Sequence, residues 1–311
     1  MQQVTVAPVA SAGLALLTMA MIAALSPLLE GSIRKLRAIV HSRQGPPIIQ
    51  PYLDLAKLLI KEDLLVSRSM LLTFAPVAFL AATLLAGSLV PLWSAGSGLF
   101  AGDVLVFAYL LALATVSAIL VGMATRSPYS VVGASREAML MVGAEPVLVL
   151  SLLVVSLNAG SLRFEDMVAY QVAQGPTLST IVAAIAYLLA MQALVAKIPF
   201  DIAEAETEIM DGPFTELSGP RLALCKLGLF CKQLIFALLF VQVFIPWVSV
   251  GLKVKWLGTL LALAFAFLIN FALVGLMDAV NPRLRIDQAV RYLAAVGVVA
   301  AVALAYAALG T

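Results

Sequence analysis

Long, predominantly apolar runs recur along the chain at 4–29, 70–93, 104–124, 138–158, 177–197, 222–247, 257–277 and 289–309. Each is long enough to cross a bilayer as a helix, which takes about twenty residues. Only helices satisfy their own backbone groups in lipid at this hydropathy. The pattern therefore predicts one all-α domain over residues 1–311, a polytopic bundle of eight transmembrane helices. Polar positions collect in four connections, 30–69, 125–137, 198–221 and 278–288, and the intervening connections are short and weakly polar. No internal repeat is evident.

Composition sharpens this reading. The chain is 63% hydrophobic and 12% charged, with a mean hydropathy of +1.07. A water-soluble domain of this size has no way to hide that much apolar surface. All but three of the nineteen Lys and Arg fall in or beside the four polar connections; the exceptions are Arg163, Lys253 and Lys255. The positive-inside rule places those connections in the cytoplasm and both termini outside. Trp93, Trp247 and Trp256 sit near the expected outer helix ends, as an aromatic belt requires. The first run lacks a basic leader and is followed by Arg34, Lys35 and Arg37, so a retained helix is expected rather than a signal peptide.

The connection 30–69 begins basic and turns at Gly45-Pro46-Pro47, where proline excludes helix. Beyond the turn, Ile48, Tyr52, Leu55 and Leu59 recur at helical spacing. Asp54, Lys57, Lys61 and Glu62 lie mostly on other faces. This predicts an amphipathic helix on the inner membrane surface, serving as a surface anchor, as a docking platform for a soluble partner, or as both.

The connection 198–221 raises the chemical question. Six of the seventeen carboxylates lie in it: Asp201, Glu204, Glu206, Glu208, Asp211 and Glu216. Pro199 and Gly212-Pro213 are placed to start and end a helix over 200–211. Such a helix would align Asp201, Glu204 and Glu208 in one stripe, with Glu206 pointing away. Ile198, Phe200, Ile202, Ile209 and Met210 make the segment apolar enough to sink into the bundle. Crowded, partly buried acids resist ionisation and share protons. The alternative is a solvated acidic loop.

A further acid, Glu145, lies inside the fourth run before Pro146, and an ionisable group at membrane depth is a functional candidate by default. Glu137, Lys226, Lys232 and Asp278 stand near the inner ends of their helices. The lysines either snorkel or pair with the acids, and Asp278 is a relay member or a boundary residue. Asp103, Glu165 and Asp166 read as outer-surface charges. The acids together form a series from the inner surface into the bilayer, the form of a proton relay. Moving one proton against 100 mV costs about 2.3 kcal/mol. No nucleotide loop occurs, and Cys225, Cys231 and the lone His41 make no redox site. The driving reaction must come from a partner.

The segment PFDIAEAETEIMDGPFTELSG resembles the loop between helices five and six of the quinone-site membrane subunit of complex I. That subunit also has eight helices, a Gly-Pro turn after the first and a glutamate in the fourth. The form SRQGPPIIQPYLDLAKLLIKED, with REAMLMVGAEP and NPRLRIDQA, is more similar to the membrane subunit of energy-converting [NiFe] hydrogenases. That branch includes formate hydrogenlyase and the CO-induced hydrogenase.

The resemblance implies a prokaryotic inner-membrane subunit with no cofactor of its own. Its expected partners are a [NiFe] large subunit, an iron–sulfur small subunit, a ferredoxin-like electron-transfer subunit and antiporter-like membrane subunits; no nucleic acid is involved. It matches Glu145, Asp201, Glu204, Glu206, Glu208, Asp211 and Glu216 to an acidic funnel. Arg34, Arg37, Arg43 and Gln44, with Asp54 in the same segment, match a docking face. The turn is shorter than in the quinone-linked form, where this region helps build the quinone chamber, which leaves quinone binding doubtful. The competing readings are a quinone-reducing dehydrogenase subunit and a stand-alone ion transporter.

Overall fold

The computed structural model describes residues 8–64, 69–92, 103–125, 127–250 and 255–310. The helices follow the apolar runs: α1 Pro8–Val40, α2 Gln50–Ile60, α3 Met70–Ser88, α4 Val104–Ala124, α5 Pro128–Ala159, α6 Phe164–Gln174, α7 Leu178–Leu194, α8 Glu206–Ile209, α9 Gly219–Phe244, α10 Trp247–Val250 and α11 Lys255–Ile269. A π-helical segment, Asn270–Gly275, leads into α12 Leu276–Val280, and α13 spans Ile286–Ala308. Among the described residues there is no strand, only an isolated bridge between Asp103 and Arg163.

Among the described residues, seven helical segments are long and apolar enough to cross a membrane. The eighth expected span, 177–197, forms the 17-residue α7. It stops early because Ala196 takes a left-handed φ of 53°, which a side chain disfavours and a helix cannot contain. The aromatic and aliphatic side chains of α9 are buried along most of its length, and α1, α3, α7 and α11 pack around it. Tyr187 of α7 donates to the Phe236 carbonyl of α9 at 3.0 Å, satisfying a fully buried hydroxyl.

Several features differ from expectation, among them the start of α5 at Pro128, ten residues before the expected 138. α1 does not end at 29 but continues to Val40, because good helix formers run on until Ser42 (φ 55°) and the Gly45-Pro46-Pro47 turn. The connection after α5 contains a helix, α6, with Phe164 and Met167 buried and Glu165 and Asp166 in its first turn, where the helix dipole favours acid. Asp103 is more than a surface charge. It caps α4 by accepting from the Leu105 N–H at 3.0 Å. Asp103→Ala is expected to cost about 1 kcal/mol of thermal stability and leave ion coupling intact, as a melting curve and a vesicle transport assay would show.

The expected helix over 200–211 does not form. Only Glu206–Ile209 is helical, because Ala205, Met210 and Asp211 all take positive φ. The carboxylate stripe at helical spacing is therefore replaced by a folded loop. Gly212 closes it at φ +52°, where an added Cβ would lie 1.8 Å from the Ala203 carbonyl oxygen. Gly212→Ala is expected to destabilise by well over about 1 kcal/mol and to open the loop to limited proteolysis.

The amphipathic face of α2 is split. Tyr52 and Leu55 are half-buried against the bundle, whereas Ile48 and Leu59 are exposed along with Leu53 and Ile60. Trp247 is half-exposed; Trp93 and the Trp256 side chain lie outside the described residues.

Candidate functional site

The acidic loop is held down by its apolar residues. Phe200, Ile202, Ala203, Ala205 and Ile209 are buried, and the Leu284 N–H donates to the Pro199 carbonyl at 2.9 Å. With those side chains inward, the polar ones are left on the wall of a cavity of about 510 Å³ between α1, the loop, α9 and α12. Its lining includes Glu30, Arg34, Arg37, Lys197, Asp201, Glu204, Lys226, Asp278 and Arg283.

Opposite charges are matched around this wall. Glu30, 3% exposed, accepts from Lys197 Nζ at 2.9 Å and from Arg34 Nε at 3.1 Å. Arg34 Nη1 also reaches Asp54 of α2 at 3.2 Å, and Gln50 Nε2 donates to the other Asp54 oxygen at 2.9 Å. Arg37 pairs with the buried Asp278. Arg283 donates to Asp201 at 2.6 Å and to Thr207 at 3.1 Å. Lys226 pairs with Asp211 at 3.0 Å. The end of the docking segment joins the same assembly, since Arg221 pairs with Asp63 at 3.0 Å and Ser218 Oγ accepts from the Leu64 N–H at 2.8 Å.

Glu204 is the exception. It lines the cavity without a direct ion pair to any described residue. Burial pushes its carboxyl up to about 7, against the pull of Lys226 and Lys197 and with the help of Asp211 and Asp201. Burial also raises Asp201 above its ordinary value, opposed by Arg283 and Lys197. Glu208 goes the other way: the hydrogen bond from Arg136, at 2.9 Å, lowers it.

Inward from the loop, Glu204 shares a small void with Glu137 and Lys232. Lys232 of α9 reaches Thr115 of α4, and Thr115 donates to Glu145 of α5 at 2.9 Å. Glu145 and Pro146 in turn line an apolar cavity of about 440 Å³ between α4 and α5.

Asp201, Glu204, Lys226, Asp278, Arg34 and Arg37 therefore meet at one cavity, and Glu137, Lys232 and Glu145 continue from it into the bundle. Asp278 is part of the charged wall, not a mere boundary residue. Asp211 joins through Lys226. Glu208 faces a separate surface cavity with Arg136 and Arg285. Glu216 is half-buried and is not brought into the group. The Glu206 side chain lies outside the described residues. Arg43 and Gln44 are exposed on the turn after α1, where the Gln44 carbonyl accepts from Lys35 at 2.8 Å.

Sequence reasoning missed Glu30, Lys197, Arg283 and Thr115. Glu30 was discoverable: placed inside a longer α1, it is an acid in a span, one turn before Arg34. Lys197 and Arg283 lie in connections already rich in charge, and nothing local distinguishes them.

A profile of the NADH dehydrogenase family matches residues 12–309. Hydrogenase-4 component C of Escherichia coli is 41% identical over 226 residues, which is 71% of each chain. Formate hydrogenlyase subunit 4 of the same organism is 34% identical over 271 residues, 85% of this chain and 88% of that one. Among solved structures, a chain of the archaeal membrane-bound sulfane sulfur reductase, a respiratory membrane complex, superposes with a TM-score of 0.84. It has 28% identity, covering 96% of this chain and 99% of that chain.

Proposed function

The chain belongs to the NADH dehydrogenase family, and on that premise we propose that it anchors a membrane-bound [NiFe] hydrogenase and couples it to ion movement. It is a multi-pass membrane subunit of an oxidoreductase family and carries no redox centre of its own. The [NiFe] centre and iron–sulfur clusters belong to soluble partners, a large and a small hydrogenase subunit fed by a ferredoxin-like carrier. Antiporter-like membrane subunits complete the ion path, and the inner membrane of a prokaryote is the setting.

The observation that carries this reading is Glu204. It is a carboxyl raised to about 7, at the junction between a charged cavity and a polar passage that ends at Glu145. A group that ionises near neutrality exchanges protons readily in both directions. The cavity wall is built from ion pairs that can rearrange when a charge next to them changes. The exposed Arg43 and Gln44 and the outer face of α2 form the docking side, and Asp54 and Asp63 join that side to the charged wall and to the start of α9.

A quinone-reducing dehydrogenase is the second reading, and the size of the cavity favours it. About 510 Å³ accommodates a ring-sized head group. Its lining favours the first, since ligand sites for apolar rings are mostly apolar and this wall carries nine charged side chains.

The test is the metal content of the complex purified through this chain in gentle detergent. Stoichiometric nickel is expected. An intact complex with partners, no nickel and bound quinone would replace the hydrogenase reading with the second one.

A further inference from the structure

The series of acids stops short of being continuous, and a lysine and a hydroxyl occupy the gap. Lys232 is 5% exposed and Thr115 is 2% exposed, both inside membrane spans. Lys232 Nζ lies 3.4 Å from Thr115 Oγ1, which in turn lies 2.9 Å from Glu145 Oε1 and 3.1 Å from the Leu111 carbonyl oxygen. A hydroxyl has one proton to donate and lone pairs to accept, and its proton rotates to suit its neighbours. Thr115 can therefore give its proton either to its own helix or to Glu145 while accepting from Lys232. On the loop side, Glu204, Glu137 and Lys232 border a void of about 10 Å³. A water needs roughly 10–15 Å³ of such space and two to four polar partners. This void is at the lower limit of the space one water needs, and Glu204, Glu137 and Lys232 are the charged side chains of its lining.

We propose that a single water in this void and the Lys232–Thr115 pair carry protons between Glu204 and Glu145. The inference rests on the relay reading above and specifies its intramembrane step. The Lys232 ammonium passes a proton to Thr115 Oγ1 as the Thr115 O–H passes its own to the Glu145 carboxylate. One N–H and one O–H bond break, two O–H bonds form, and threonine ends as it began. The neutral amine left behind takes the next proton from the water, which takes one from Glu204.

The test compares Thr115→Val, Thr115→Ser, Lys232→Met and Glu204→Gln in the whole complex, reconstituted in vesicles. The readout is ions moved per turnover, with the uncoupled turnover rate and native-gel assembly measured alongside. Thr115→Val and Lys232→Met are expected to lower the ion-to-turnover ratio about tenfold. Thr115→Ser keeps the hydroxyl and is expected to retain the wild-type ratio, a rescue that a purely packing role would not produce. Loss in Glu204→Gln with wild-type ratios in Thr115→Val and Lys232→Met would reject the bridge and leave the relay standing. A wild-type ratio in Glu204→Gln would reject the relay and the bridge with it. If Thr115→Val does not assemble, the void decides: ordered water density between Glu204, Glu137 and Lys232 supports the bridge, and a dry void overturns it.

Discussion

Glu204→Gln is expected to raise the thermal midpoint of the purified complex at pH 8, and the gain is expected to disappear as the pH falls toward 5. In the unfolded chain this carboxyl ionises near its ordinary 4.5, whereas burial in the folded protein raises it to about 7. Below 4.5 both states hold the proton and the group contributes no difference. Between the two values the unfolded chain ionises first, so stability falls as pH rises. Above 7 the folded state bears the full cost of a buried anion, roughly 3 kcal/mol for that interval. Glutamine stands in for the protonated acid and carries no such cost. Melting curves in mild detergent at pH 5 and pH 8 measure the effect. Equal midpoints for variant and wild type at both pH values would mean that Glu204 ionises as an ordinary surface acid.

Glu30→Ala is expected to have the opposite effect, a loss of about 1–3 kcal/mol that shows as a lower midpoint and a poor yield of assembled complex. Glu30 is buried and holds two cations, Lys197 from the acidic loop and Arg34 from its own helix. Arg34 keeps Asp54 when Glu30 is removed, but Lys197, with 29% of its side chain exposed, is left without its anion. Breaking a pair from one side costs more than the pair contributes when the remaining charge is only partly solvated, as Lys197 is. The double variant Glu30→Ala/Lys197→Ala should recover part of the loss, and that recovery measures the coupling between the two side chains. A neutral single variant would show that Glu30 does not anchor the loop.

The spans were legible because a long apolar run has one solution in lipid. Their ends were less so. α1 runs eleven residues beyond its expected limit because helix propensity, unlike hydropathy, does not change where the membrane stops. The acidic loop was legible as chemistry and not as conformation. Its path is set by contacts remote in sequence, such as Arg283 with Asp201 and Leu284 with Pro199, and these hold Ala205, Met210 and Asp211 in left-handed geometry that no local propensity favours. Glu145 was identified because charge is rare in a span. Thr115 could not be: in sequence it is indistinguishable from Thr83 or Ser117, whose hydroxyls only bond the preceding turn of their own helices.

That a carboxyl in this chain links partner chemistry to ion movement is the core of the proposed function. It is tested most directly by ion uptake into vesicles carrying the complex during hydrogen evolution, wild type against Glu204→Gln. Ion uptake in step with hydrogen is expected in the wild type, and hydrogen without ion uptake in an assembled variant. Wild-type ion uptake per hydrogen in Glu204→Gln would contradict it.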